Sequence, residues 1–457
     1  MKPILFDISE TNERLVSHTG LALVGALLAR TRIRERLDAL QAPGHPKPEI
    51  AHGDVVRALL GLLCLGKTDF DDVEAFREDE FFRTALGLTK VPSAPTLRQR
   101  IEDLSEGPLG EACGAILREE AAGLVRSEAR KLTTCWKEHV ALDVDVSVFD
   151  NSGTKKEGVS WTYKKVNGYA PIFAYLAGEG YAVRAELREG SQHCQDGTPA
   201  FLDSALELAR RVTAAPILVR MDSGNDAADN LEVCRCHRAD WIIKRNLRRE
   251  SEEAWLETAQ AYGTWAEPRE GKVVLTGCTH QTRGGKEERI VFRVTQRTIL
   301  ANGQRLLGAG ELEVETYWTS LKAEPEEVIE LYHQHGTSEQ FHSELKTDLD
   351  LERLPSGKFA ANALVLELGM VAYNVLRLIG QQGLRQERDL PAEEQPPGRK
   401  KVRRRRVKSV MQDLLYVAAR LTRHARTWGL AFWSENPWLG LWRRLYERFT
   451  RPMPQTG

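Results

Sequence analysis

The sequence predicts an α/β fold in which a mixed β-sheet is flanked by helices. Residues 139–149 alternate apolar and polar side chains, as a strand with one buried face does. Residues 216–221 are almost continuously apolar, which is typical of a strand buried on both faces. A helical pattern at 198–212 leads into that strand, and another at 226–236 leads into a further strand at 240–244. This alternation of helices and strands indicates a mixed sheet with flanking helices.

The first 130 residues are predicted to form an all-helical N-terminal region, because apolar residues recur there at spacings of three and four. Within this region, residues 86–104 resemble a helix-turn-helix in which Ser93 can cap the second helix. Arg98 and Arg100 follow at the start of that helix, and their guanidinium groups suit contacts to phosphates and bases. The alternative interpretation is a surface helix of a helical bundle.

Two carboxylates lie on one face of the first predicted strand, at Asp143 and Asp145. Aspartate disfavours strands, and paired carboxylates repel each other unless a cation lies between them. The alternative is a solvated edge strand. A further carboxylate, Asp222, directly follows the apolar strand at 216–221, where α/β folds place functional groups. The two strands can be neighbours in this topology, so the carboxylates of Asp145 and Asp222 could meet.

A second cluster of polar residues lies at 332–346. Pro325 is predicted to open a helix that runs to about residue 335, where Gly336 breaks it. Thr337 with Gln340 has the spacing of a capping box that opens a second helix. Glu339 and Lys346 are seven residues apart and therefore share one helix face, with Tyr332 and His335 one turn upstream. A carboxylate beside basic partners suits a metal ion that meets a phosphate.

Residues 250–318 interrupt the α/β pattern with Gly-containing turns and with short strands predicted at 272–275, 289–294, 304–307 and 311–318, which indicates a β-rich insertion. The predicted domains are a helical DNA-binding domain (1–130), the first part of the α/β core (131–250), the β-rich insertion (251–318), the second part of the core (319–385), and a linker with a basic helical tail (386–457).

The tail carries an almost wholly basic run at 399–408, followed by a predicted amphipathic helix at 410–421. We expect this run to bind nucleic acid, with Arg403, Arg404, Arg405 and Arg406 as the contacting residues. The alternative is a packed pair of terminal helices whose arginines extend along the surface. We expect the tryptophans that follow the run to be packing residues.

The composition sets further limits. The chain has 457 residues, a net charge of −1 and seven scattered cysteines, which is typical of an intracellular globular protein with several domains. Cys234, Cys236 and His237 are close in sequence, but they lack a second pair of ligands at zinc-site spacing. No continuous apolar run reaches the roughly 18 residues of a membrane span, so we expect no membrane partner.

Three carboxylates on two adjacent strands and a later helix could hold Mg²⁺ or Mn²⁺, which prefer oxygen ligands. Such ions support phosphodiester cleavage and transfer. The chain resembles the bacterial insertion-sequence transposases of the DDE class, which have an RNase H-like core. Tyr332, His335, Glu339 and Lys346 match the spacing of the family signature Tyr-Arg-Glu-Lys, with His335 in place of the arginine. Asp145-Val-Ser and Asp222-Ser-Gly match the two earlier carboxylate motifs, and the β-rich insertion is also similar.

The resemblance implies cut-and-paste transposition, with Asp145, Asp222 and Glu339 as catalytic, metal-binding residues and Asp143 as an alternative first carboxylate. Tyr332, His335 and Lys346 would hold DNA phosphates. It also implies double-stranded DNA partners (terminal inverted repeats and target DNA), a homodimer on DNA, a hairpin intermediate, and a bacterial cytoplasmic, nucleoid-associated location. A tryptophan of the insertion, Trp265 or Trp318, could stack on a flipped base, although core packing is the simpler role.

Two other functions compete with transposition. One is a transposase-derived DNA-binding protein without cleavage activity, which would not need to keep all three carboxylates. The other is a metal-dependent nuclease that does not transfer strands. A cleavage assay separates the first from a transposase, and strand-transfer products exclude the second.

Overall fold

The computed structural model describes residues 6–41, 48–129, 131–248, 250–300, 302–306, 310–397, 402–425 and 427–452. The described α-helices are α1 (Leu21–Leu28), α2 (Ile33–Asp38), α3 (His52–Cys64), α4 (Glu80–Ala85), α5 (Ala94–Leu104), α6 (Gly107–Ala129), α7 (Thr198–Val212), α8 (Ala228–Cys236), α9 (Glu252–Tyr262), α10 (Pro325–His333), α11 (Ser338–Ser343), α12 (Phe359–Glu387), α13 (Val407–Val410) and α14 (Leu439–Thr450). The described strands are β1 (Arg14–Val16), β2 (Val140–Val146), β3 (Phe149–Asp150), β4 (Ser160–Trp161), β5 (Asn167–Tyr169), β6 (Ile172–Leu176), β7 (Tyr181–Glu186), β8 (Ile217–Met221), β9 (Asp240–Lys244), β10 (Gly263–Arg269), β11 (Lys272–Arg283), β12 (Lys286–Arg297), β13 (Glu311–Thr319), β14 (Ala419–His424) and β15 (Thr427–Phe432).

These elements form two compact units, which we call the sheet unit (Ile101–Asn374) and the helical unit (Met1–Arg100 with Val375–Gly457). The sheet unit contains a nine-stranded sheet in the order β10-β11-β12-β13-β9-β8-β2-β6-β7. β2, β8 and β9 run parallel, whereas β6 and β7 pair antiparallel beside β2. The predicted mixed sheet with flanking helices is therefore confirmed, as is the pairing of the two aspartate-bearing strands.

The predicted β-rich insertion extends this same sheet. β11 and β12 pair over their whole length of 12 residues each, and β13 joins them to β9 through Tyr317, Trp318 and Thr319. The strands in this region are therefore longer than predicted, and the helix α9 was not predicted. The strand expected at 304–307 is also wrong in its described part, where Arg305 forms only an isolated bridge with Ile299.

Asn374, on the long apolar helix α12, closes the β7 edge of the sheet. Asn374 accepts a hydrogen bond from the Ala182 amide at 2.9 Å and donates to the Ala182 carbonyl at 2.7 Å. These bonds satisfy backbone groups of the edge strand β7, which would otherwise be free to pair with another chain. By length and composition α12 could cross a membrane, but 89% of its most apolar stretch is buried, as in the core helix of a soluble protein.

The helical unit departs from an all-helical prediction in one place. β1, β14 and β15 form a three-stranded sheet, so the helix predicted at 410–421 is wrong beyond residue 415. The physical reason is a two-residue alternation that the basic residues obscure: Ala419 and Leu421 are buried, whereas Arg420 between them is exposed. The predicted cap of α5 is present, since the Ser93 hydroxyl accepts from the Thr96 amide at 3.4 Å.

Candidate active site

Asp145 and Asp222 lie at the same edge of the sheet, because their parallel strands β2 and β8 both end there. One oxygen of Asp145 accepts from the Val146 amide at 2.8 Å, and the other lies 3.2 Å from Nε2 of His342. Burial would raise the pKa of Asp145, but the hydrogen bond to His342 and the charges of His342 and His335 outweigh burial and lower it. This carboxylate is therefore ionised over a wide pH range.

Asp222 is the first residue after β8, and its Oδ1 accepts a hydrogen bond from the Asn225 side chain at 2.7 Å. Burial raises the pKa of Asp222, and the negative charge of Asp145 raises it further. The two carboxylates are therefore close enough to repel each other, and an added cation would relieve that repulsion.

Asp143 faces the same side of β2 as Asp145 but has different partners. It lies opposite Arg220 in the β2–β8 register, and the Arg220 guanidinium donates to both of its oxygens at 2.7 and 2.8 Å. Nδ1 of His335 lies 2.9 Å from Oδ1 of Asp143, and Arg220 also donates to the Leu331 carbonyl at 2.7 Å. Since only 2% of Asp143 is exposed, its carboxylate is committed to this buried brace.

His335 occupies the position of the arginine in the resembling signature. Burial lowers the pKa of its imidazole, but the hydrogen bond to Asp143 and the charges of Asp143 and Asp145 outweigh burial and raise it. The histidine is therefore protonated more readily than a free imidazole. The Tyr332 ring packs 5.7 Å from His335 and 4.6 Å from Tyr317, so it is held by aromatic neighbours on two sides.

Residues 334–348 continue the helical path of α10 with changing winding. A 3₁₀ turn (Gln334–Thr337) leads into α11, and a π-helical turn (Glu344–Asp348) follows. The predicted capping box is wrong, because Thr337 has helical backbone angles and its hydroxyl donates to the Gln334 carbonyl instead. π-Turns inside helices occur often at functional sites.

Glu339 and Lys346 project from this segment. Glu339 is exposed, and none of the described residues forms a hydrogen bond or ion pair with it. The Lys346 ammonium donates to the Val148 carbonyl and lies 5.6 Å from the centre of the Phe149 ring. Burial lowers the pKa of Lys346 and the charge of Lys164 lowers it further, against the attraction of Glu352.

A cleft of about 780 Å³ unites most of the predicted site. Its lining includes Asp145, Asp222, Tyr332, His335, Glu339 and Lys346, whereas Asp143 lies outside it. Within the described ranges, however, we find no set of three or more His, Cys, Asp or Glu side chains placed to hold a metal ion. The three carboxylates thus share a cleft without forming a ready coordination sphere.

Tyr163, Lys164 and His342 also line the cleft and were missed from the sequence. The Tyr163 hydroxyl lies 3.3 Å from the Val146 carbonyl, while 63% of the residue is exposed. Burial of the hydroxyl end, with the charges of Asp145 and Asp222, raises the pKa of Tyr163 to about 12. The Tyr-Lys-Lys sequence was the available signal, but nothing in it indicated that this turn meets the end of β2.

The predicted DNA contacts of the helical unit differ in their surroundings. Arg98 is exposed and lies 3.2 Å from Asp71, whereas Arg100 is buried and donates to the Ile50 carbonyl at 3.0 Å. Arg405 pairs with Glu387 and stacks 5.0 Å over Trp438, whereas Arg403 and Arg406 are exposed and Arg404 is partly buried. Residues 399–401 of the basic run lie outside the described residues.

The two tryptophans of the insertion also differ. Trp318 is buried, donates to Asp226 at 2.9 Å and is stacked by Arg245 and Arg283, so it is a packing residue. Trp265 lies on the edge strand β10 and is 59% exposed.

Comparisons with known proteins identify a family and a similar solved structure. A family model described as "Transposase DDE domain group 1" matches residues 6–454. Among solved structures, the chain is similar to a cryo-EM structure of the piggyBac transposase synaptic complex with hairpin DNA, at 10% identity and a TM-score of 0.42. That similarity covers 96% of this chain and 83% of the other. No curated protein matches the sequence.

Proposed function

The chain belongs to the family of transposase DDE domains, group 1, and we propose that it catalyses cut-and-paste transposition of an insertion sequence. In this reaction the enzyme cleaves DNA at the ends of the element and joins the freed 3′-hydroxyl to target DNA. The observation that carries the proposal is the single cleft lined by Asp145, Asp222 and Glu339 together with Lys346. Three acidic side chains from separate elements thus lie in one cleft, which supports the proposal.

We assign an RNase H-like core to the sheet unit. The supporting observation is the strand order β7-β6-β2-β8-β9, in which β6 is antiparallel to both of its neighbours, whereas β2, β8 and β9 run parallel. In this arrangement Asp145 comes from the central strand and Asp222 from the end of its parallel neighbour. Glu339 comes from a helix that follows the β-rich insertion.

The donor chemistry of the cleft fits Mg²⁺ or Mn²⁺ as the cofactor. Asp145 and Asp222 offer oxygen ligands and repel each other, which a divalent cation would relieve. Asp145, Asp222 and Glu339 would hold the ions, and Asp143 would not, because Arg220 occupies both of its oxygens. Bound ions of this kind activate the attacking oxygen and stabilise the leaving oxygen in phosphodiester transfer.

The chain's own cations would position the DNA. Lys346 and His335 line the same cleft as the carboxylates and can offset the charge of a phosphate. Terminal inverted repeats and target DNA are the proposed partners, and Arg98, Arg403, Arg404 and Arg406 are candidates for contacts outside the cleft. Because two ends must be cut and joined together, we propose a homodimer on DNA.

The test is an excision and strand-transfer assay on a plasmid that carries the DNA flanking the gene. Asp145→Asn, Asp222→Asn and Glu339→Gln should each lower cleavage about a thousandfold or more while leaving DNA binding nearly unchanged. Glu330→Gln, an exposed glutamate on α10, is the matched control and should cleave normally. If Glu339→Gln cleaves DNA as fast as wild type, Glu339 is not a catalytic residue. If wild type cleaves DNA without strand transfer, the protein is a nuclease.

A further inference from the structure

A hairpin beside the cleft exposes aromatic rings that the proposed chemistry does not use. Among the described residues of the sheet unit, the exposed large apolar side chains are those of Trp161, Tyr163, Tyr262 and Trp265. Trp161 and Tyr163 both lie on the hairpin formed by β4 and β5, two residues apart. Tyr163 also lines the cleft itself, so the turn of this hairpin reaches the proposed site.

The hairpin holds these rings on a braced turn. The Thr162 amide donates to the Val166 carbonyl and the Lys165 amide donates to the Thr162 carbonyl, both at 2.9 Å. Gly168 packs directly on β3, where a Cβ atom would lie only 2.0 Å from the Phe149 carbonyl oxygen. Exposed aromatics on a rigid support lose little freedom on binding, so these rings are suited to hold a ligand.

The charge of the hairpin selects the kind of ligand. Residues 158–178 contain Lys164 and Lys165 but no aspartate or glutamate. Neither lysine pairs with a carboxylate of the described residues, and Lys164 lies 6.0 Å from the centre of the Tyr163 ring. Lys164 also lines the cleft with Lys346, so two ammonium groups face the same space. Rings beside unpaired cations match the alternating bases and phosphates of a nucleic-acid strand.

We propose that Tyr163 and Trp161 form a stacking platform for unpaired bases of the DNA strand at the cleft, with Lys164 holding the adjoining phosphate. The proposal rests on the proposed function, which makes DNA the substrate, and adds that the strand is locally unpaired. The Tyr163 hydroxyl contacts the carbonyl of Val146, the residue after Asp145. The hydroxyl end of the ring is therefore held next to the strand that carries Asp145.

The experiment measures binding of the full-length protein, in EDTA, to fluorescein-labelled duplexes that are blunt or carry an unpaired oligothymidine overhang on either strand. Wild type and Tyr163→Phe should prefer the overhang, because stacking needs the ring and not the hydroxyl. Tyr163→Ala should lose affinity for the overhang by about tenfold and bind the blunt duplex as before. Tyr262→Ala, an equally exposed aromatic away from the cleft, is the matched control and should behave as wild type.

A second measurement decides the question if circular dichroism shows that Tyr163→Ala is not folded. Wild type should quench a fluorescent adenine analogue in the overhang, and Trp161→Ala should quench it less. Unchanged overhang affinity in Tyr163→Ala, absence of quenching by wild type, or unchanged quenching in Trp161→Ala would overturn the platform. If wild type cleaves DNA in spite of such a result, the transposase assignment remains intact. If wild type neither binds nor cleaves DNA, both the platform and the transposase assignment are overturned.

Discussion

Asp143 and Asp145 lie two residues apart on one face of β2, but only Asp143 has both oxygens bound by a guanidinium. At the buried end, Arg220 and His335 surround Asp143, and Arg220 extends to the Leu331 carbonyl at the end of α10. At the cleft end, Asp145 faces the like charge of Asp222. In this protein, therefore, paired charges hold the fold, whereas incompletely neutralised carboxylates are available to a ligand.

The largest expected effect comes from breaking the buried brace. Arg220→Met should lower the free energy of unfolding by about 3–5 kcal/mol, because it leaves the Asp143 carboxylate buried without its main partner. Urea unfolding followed by circular dichroism measures the change. Replacing both partners, in Arg220→Met with Asp143→Leu, should recover much of the loss.

Asp145→Asn is the matched control for that comparison. In EDTA it should change the free energy of unfolding by no more than about 1 kcal/mol, because it removes repulsion with Asp222 as well as a hydrogen bond to His342. A loss as large as that of Arg220→Met would mean that Asp145 is a structural residue, and the contrast between the two ends of β2 would fail.

A smaller effect is expected in the basic run of the helical unit. Arg403 is exposed and none of the described carboxylates pairs with it, so Arg403→Gln should weaken DNA binding and flatten its logarithmic salt dependence by about one unit. Arg405→Gln should mainly lower stability, because Arg405 pairs with Glu387 and stacks on Trp438. Anisotropy titrations across a salt series measure both variants, and identical salt slopes for Arg403→Gln and wild type would exclude a phosphate contact.

The sequence predicted what local patterns encode. The alternation around Asp145, the apolar run before Asp222 and the spacing from Tyr332 to Lys346 located the elements that line the cleft. The brace could not be predicted, because the contact of Asp143 with Arg220 depends on the register between two strands distant in sequence. Tyr163 was missed for the same reason. The capping box at Thr337 failed because a 3₁₀ turn kept the chain helical where Gly336 suggested a break.

Iron-mediated affinity cleavage can determine whether Asp145, Asp222 and Glu339 bind divalent cations together. The protein is incubated with Fe²⁺ in place of Mg²⁺, with and without DNA, and radicals generated at a bound ion cut the nearby backbone. We expect cuts near all three residues, mapped by mass spectrometry, and loss of all of these cuts in Asp145→Asn. Cuts that avoid one of these segments, or that persist in Asp145→Asn, would show that the three residues do not bind the ions together.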